Sequence, residues 1–144
     1  MKDFWSFDRK SLEKEISTVN GILKEQANLL TNKTGGILIG RVSNRKLERK
    51  DGFYDIETLF EIKVPNLANY VCRLFYVYSN ARKNFPVLIN YERLEDRNLR
   101  KLEAFGQENE AKNESEFEKL LKNILQSPEV NETVKVLYAK ASQN

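Results

Sequence analysis

The chain has 144 residues and not one histidine. That absence removes whole classes of chemistry. Ser-His-Asp and Cys-His catalytic units need an imidazole base, and the common zinc sites need imidazole or several thiolates. The single cysteine, Cys72, leaves no intramolecular disulfide to form. It lies in an apolar run, where a free thiol serves as a small core residue. Only three prolines occur, Pro65, Pro86 and Pro128, and each marks a boundary instead of joining a linker. No apolar run approaches the roughly 20 residues of a membrane span. The opening stretch MKDFWSFDRKSLEKEI has no unbroken apolar core of signal-peptide length. Together these absences make a cytoplasmic location and no membrane association the expectation. P-loop and GxGxxG signatures are missing too, so no cofactor is called for.

What is present fits one domain over residues 1–144, long enough to bury a core without a metal or disulfide staple. The 40% hydrophobic and 31% charged content is that of a globular chain, which argues against long disorder. The net charge of +3 is only mildly basic, so any basic patch must come from local clustering.

Residues 11–33 carry helical spacing at Ile22, Leu23, Ala27 and Leu30, slackened at Asn20-Gly21 and stopped by Gly35-Gly36. Four strands are predicted, at 37–42, 53–64, 70–78 and 86–91. Short connections point to an antiparallel meander. Residues 92–113 are highly charged and read as a short helix followed by an exposed connection. SEFEKLLKNILQ is an amphipathic helix capped by Ser115 or Asn113. Ser127-Pro128 then starts a last helix with its stripe at Val130, Val134, Leu137 and Ala141. The predicted fold is α+β: a four-stranded antiparallel meander sheet with an N-terminal helix and two or three C-terminal helices on one face.

One stretch, DGFYDIETLFEIKVP, raises the question of catalysis. Glu61-Ile62-Lys63, with Asp55 and Glu57 upstream, has the acid-x-lysine pattern of metal-dependent nucleases, which need two converging carboxylates. Here the acids are strung along one strand, and the neighbouring strands ILIGRV and YVCRLFYVY supply none. The alternation instead suits a strand with one buried and one solvated face, on which Glu61 meets Arg41 or Arg73 across strands. No catalytic residue and no metal site is assigned.

The stronger functional signal is electrostatic. RVSNRKLERKDG carries Arg45, Lys46, Arg49 and Lys50, diluted only by Glu48 and Asp51, and SNARKNF carries Arg82 and Lys83. A meander brings both connections to one end of the sheet. These six residues form the candidate binding site. Clustered Lys and Arg collect acidic protein surfaces or phosphate oxygens, although charged hairpin tips are also ordinary solvated features. The aromatics Phe4, Trp5 and Phe7 are expected to pin the N-terminal segment to the core.

Two resemblances add to this reading. ILKEQANLLTNKTGGILIGRV, FEIKVPNLANYVCRLFYVY, PVLINY and EFEKLLKNILQSPEVNETVKVL together resemble a small bacterial family with a helix, a hairpin sheet and a C-terminal helix pair. That likeness implies an intact domain and no site residues. Residues 59–91, LFEIKV…YVCRLFYVYSN…FPVLINYE, are similar to the sheet of RelE-like toxins, small basic ribonucleases that cut mRNA. It implies phosphate and leaving-group roles for Arg73, Tyr76 and Tyr78, although here helices follow the sheet as well as precede it. The function expected from the residues is a non-enzymatic accessory, immunity or defence-related binding protein whose basic loops meet an acidic protein partner. An RNA-binding protein or RelE-like ribonuclease is the alternative.

Overall fold

The computed structural model describes residues 1–15, 18–48, 52–91 and 109–143. The elements run α1 (Arg9–Glu15), α2 (Val19–Lys33), β1 (Ile39–Lys46), β2 (Ile56–Val64), β3 (Tyr70–Asn80), β4 (Lys83–Asn90), β5 (Glu110–Ala111), α3 (Glu114–Leu125) and α4 (Pro128–Ser142). The fold is α+β, with an antiparallel sheet in the order β1-β2-β3-β4-β5. The expected meander is therefore present with five strands instead of four. β5 pairs Ala111 with Val87 and Glu110 with Leu88. A two-residue strand carries no periodicity, so nothing in the sequence announces it. The short helix expected within 92–113 falls largely outside the described residues.

Local signals fix the helix ends. Thr18 accepts the Gly21 N–H and caps α2, so the slackening expected at Asn20-Gly21 falls inside the first turn of an intact helix. At the other end, Gly35 and Gly36 take φ of 60° and 82°. Gly36 N–H donates to the Thr31 carbonyl and Gly35 N–H to that of Asn32, closing a Schellman motif that needs the left-handed conformation. Asn113 caps α3 through the Glu116 N–H, and Ser127 caps α4 with Pro128 in its first turn.

All three longer helices pack on one sheet face. The larger apolar cluster joins Leu23 and Ala27 of α2 to Phe60, Phe75, Val77 and Ile89 of the sheet and Phe117 and Leu121 of α3. Phe60 and Phe75 stack across β2 and β3 with centroids 5.0 Å apart. A second cluster joins Leu38, Ile62 and Val64 to Leu137 and Ala141 of α4. Half-buried Leu74 touches both clusters. Among the described residues no helix is long and apolar enough to cross a membrane.

The backbone of α2 approaches that of β1 closely. A Cβ on Gly40 would lie 2.5 Å from the Ala27 carbonyl oxygen and 2.7 Å from its Cα. Backbone therefore meets backbone, and only glycine fits. Hydroxyls stitch the contact. Thr31 Oγ1 accepts the Gly40 N–H at 3.0 Å and Thr34 Oγ1 accepts the Leu38 N–H at 3.1 Å. Gly40→Ala is expected to cost about 1–3 kcal/mol, the usual cost of overpacking, read as a lowered midpoint in urea. An unchanged midpoint would mean that α2 sits further from the sheet than described.

Candidate functional site

The registers of the meander bring one end of three strand pairs together. Lys46 pairs with Ile56, Ile56 with Ser79, and Asn80 with Lys83. Lys46 and Lys83 thus stand three strand spacings apart, about 14 Å. Arg82 sits at the tip of the two-residue turn between β3 and β4. Among the described residues, Lys46, Arg82 and Lys83 make no ion pair. Three of the six predicted site residues are therefore gathered at the sheet end as expected. Arg49 and Lys50 lie outside the described residues.

Arg45 departs from the expectation. β1 continues through Lys46, where a loop was predicted from residue 43, because Asn44 and Thr58 bond across the strands, hydroxyl to Oδ1, at 2.6 Å. Arg45 is consequently a strand residue on the opposite face, ion-paired with Glu57 at 2.8 Å. Its side chain remains 71% exposed, while that of Glu57 is only 13% exposed.

The tip itself is built by residues that charge counting overlooked. Asp55 accepts the Ala81 N–H at 2.8 Å. Asn80 donates to the Phe53 carbonyl at 2.7 Å and accepts the Arg82 N–H at 2.9 Å. An Asn opening a tight turn is a readable signal. Asp55, a suspected metal ligand by pattern, works here as a turn clamp.

Between this hairpin and the start of α2 lies a groove of about 570 Å³. Residues 18–20 form one wall and residues 79–84 the other, with Asn44, Ile56 and Thr58 on its floor. The dimensions explain the meeting. From Ala27 back to Val19 the helix rises about 12 Å, and from Gly40 to Asn44 the strand advances about 13 Å. Anchoring Ala27 over Gly40 therefore carries the first turn of α2 to Asn44. Among the described residues that line the groove, Arg82 and Lys83 are the charged ones, and the Asp55 carboxylate bonds the lining residue Ala81. Asn20 Oδ1 is buried and has no hydrogen-bond partner among the described residues.

The sheet face away from the helices is a second polar surface, and it corrects the expectation of a solvated strand face. Glu61 is only 7% exposed. Its Oε1 accepts from Arg41 Nη2 at 2.6 Å and Nε at 3.1 Å. The acid of the acid-x-lysine pattern is thus buried in a cross-strand ion pair. Among the described residues no three acidic or thiol side chains gather as a metal-ligand set.

A bulge decides what else shares that face. Phe60 pairs with Phe75, but Glu61 pairs with Arg73, so Leu74 is the extra residue in β3. Strict alternation would put Arg73 opposite Tyr76 and Tyr78; the bulge brings all three to one face. Arg45, Arg73, Tyr76 and Glu57 line a small hollow there, of about 320 Å³. Tyr78 is buried beside it and bonded to Glu57 and Asn90. Burial, with the Glu57 carboxylate second, pushes its phenol up to about 12.

The aromatics at the chain start do not pin it to the core. Phe4 is 90% exposed and Trp5 74% exposed, and Trp5 meets only Phe7 at 5.3 Å among described rings. Nothing in the spacing of FWSF distinguishes an anchor from a free cluster.

Two outcomes are expected. Arg41→Ala leaves the Glu61 carboxylate buried without its partner, destabilising by about 1–3 kcal/mol. That is below the loss for a fully buried pair, because the Arg41 side chain is 44% exposed. Chemical denaturation of Arg41→Ala beside Arg41→Ala/Glu61→Gln checks it, the double variant recovering part of the loss. For Tyr78, a folded-state pKa above the ordinary 10.0 gives stability that is whole below pH 10 and fades as pH rises toward 12. Tyr78→Phe should show a shallower decline over that range. Parallel declines would contradict the buried phenol.

No family model, no curated protein and no solved structure matches the chain.

Proposed function

We propose that this chain is a non-enzymatic binding protein that meets an acidic partner with the basic end of its sheet. The observation that supports it is the gathering of Lys46, Arg82 and Lys83 at one end of the meander, none of them ion-paired among the described residues. Of the described carboxylates nearby, Glu57 is paired with Arg45, while Asp55 accepts the Ala81 N–H and keeps its negative charge, one anion against three cations. The local field is therefore positive on a nearly balanced molecule. Such a patch speeds encounter with an oppositely charged surface and makes binding salt-sensitive.

A second reading, an RNA-cleaving protein of the RelE-like kind, is favoured by the bulge that gives Arg73, Tyr76 and Tyr78 a common face. Its test is cleavage of a single-stranded RNA that disappears in Arg73→Ala.

The binding reading is tested with heparin, a generic polyanion. Reversal of Lys46, Arg82 and Lys83 to Glu should bring elution to lower salt. Reversal of the exposed Lys24, Lys119 and Lys135 gives the same net charge and should shift elution less. Equal shifts would reduce the sheet end to ordinary solvated charge.

A further inference from the structure

The hydrogen bonds of β1 show which way its backbone faces. Gly40 N–H donates to Thr31 Oγ1 and Leu38 N–H to Thr34 Oγ1, so the even-numbered residues turn their N–H and C=O groups away from β2. Leu47, of the other parity, donates to the Asp55 carbonyl on the β2 side. The register from Ile39 to Lys46 runs without a shift, so Val42, Asn44 and Lys46 face outward as Gly40 does. β1 is the outer strand of the sheet. The two threonines cover its edge as far as Gly40. Beyond that, no described group accepts from the N–H of Val42, Asn44 or Lys46. The second half of β1 is therefore a bare row of backbone donors and acceptors.

We propose that this edge takes an extended acidic segment of a partner protein as an additional strand. The inference rests on the acidic-partner reading and names that partner's chemistry and how it is held. Outward N–H groups alternate with outward C=O groups, the pattern that another peptide backbone matches. Phosphodiester groups offer acceptors alone.

Charge selects the segment. β1, IGRVSNRK, carries no carboxylate. Arg41 and Arg45 lie on its open face, with side chains 44% and 71% exposed. Their partners Glu61 and Glu57 are one strand further in, and each guanidinium has more N–H groups than its partner takes. On the helix side stands Lys46. Exposed Lys24 lies two turns before Thr31, on the stripe of α2 that meets this edge. Glu57 and Glu61 offset two of these four cations, and Glu48 follows the strand. A second copy of β1 is disfavoured by the same charges. In any two-fold antiparallel register through residues 42–46, the arginines of the two copies stand opposite or diagonal to one another. Basic side chains on an edge commonly keep like sheets apart; here they also favour a strand of opposite sign.

The experiment uses the full chain and a labelled, end-capped heptapeptide of alternating Glu and Val. Hydrogen exchange of the free chain should be fast at Val42, Asn44 and Lys46 and slow at Ser43 and Arg45, and the peptide should slow the first set. In fluorescence anisotropy, N-methylation of one alternate set of peptide amides should weaken binding at least about fivefold, the worth of a hydrogen bond, and methylation of the other set should not. Asn44→Pro removes one outward N–H and should weaken binding by a similar factor. Asn44→Ala loses the same side chain and keeps the N–H, so it should bind as the wild type does. Lysine in place of glutamate in the peptide should abolish binding. Slow exchange at Val42 and Asn44 in the free chain, or equal effects of the two methylated sets, would overturn the proposal. So would a dimer that Asn44→Pro dissociates, which would give the edge to a second copy. Oligouridylate that outcompetes the peptide would overturn it in favour of nucleic acid. Peptide binding indifferent to methylation and to Asn44→Pro, but lost on reversal of Lys46, Arg82 and Lys83, would overturn it and leave the acidic-partner reading standing. No peptide binding at low salt, with equal heparin shifts, would end both.

Discussion

The backbone of α2 touches the backbone of β1 where Ala27 lies over Gly40, and the position of everything near the sheet end follows from that contact. A side chain at residue 40 would meet the Ala27 carbonyl oxygen at 2.5 Å, so the helix is either seated there or lifted away. Thr31 and Thr34 fix the seat by exchanging hydrogen bonds with the start of β1. Helix rise and strand rise then carry Val19 and Asn44 to the same level. The groove is therefore a consequence of docking at its opposite end. The Schellman turn at Gly35-Gly36 sets the reversal that makes this possible.

The sheet separates two uses of charge. On the face away from the helices, Arg41 with Glu61 and Arg45 with Glu57 are matched across strands, and Tyr78 closes the second pair into a small network. In both pairs the acid is mostly buried and the arginine stays partly exposed, so each pair covers a carboxylate and ties β1 to β2 in register. At the sheet end, Lys46, Arg82 and Lys83 have no such partners among the described residues. Counting basic residues along the chain merges the two groups. The parity of each residue in its strand divides them: Arg45 and Lys46 are neighbours in sequence and lie on opposite faces.

The sequence by itself determined the α+β class, the antiparallel meander and most helix ends. Those features are local. Capping side chains at Thr18, Asn113 and Ser127, glycines at positive φ and period-2 or period-3.6 patterning act within a few residues, so they can be read in order. The gathering of Lys46 with Arg82 and Lys83 was legible for the same reason, since a meander allows only one arrangement of its connections. Tertiary structure decided the rest. The bulge at Leu74 reverses the parity of β3 and brings Arg73, Tyr76 and Tyr78 together, and it leaves no mark in YVCRLFYVY because both phases are apolar apart from Arg73. Burial of Glu61 depends on Arg41 arriving from a strand formed twenty residues earlier. The groove needs α2, β1 and the β3–β4 hairpin at one place, an arrangement set by a backbone contact at Gly40 that no side-chain pattern encodes.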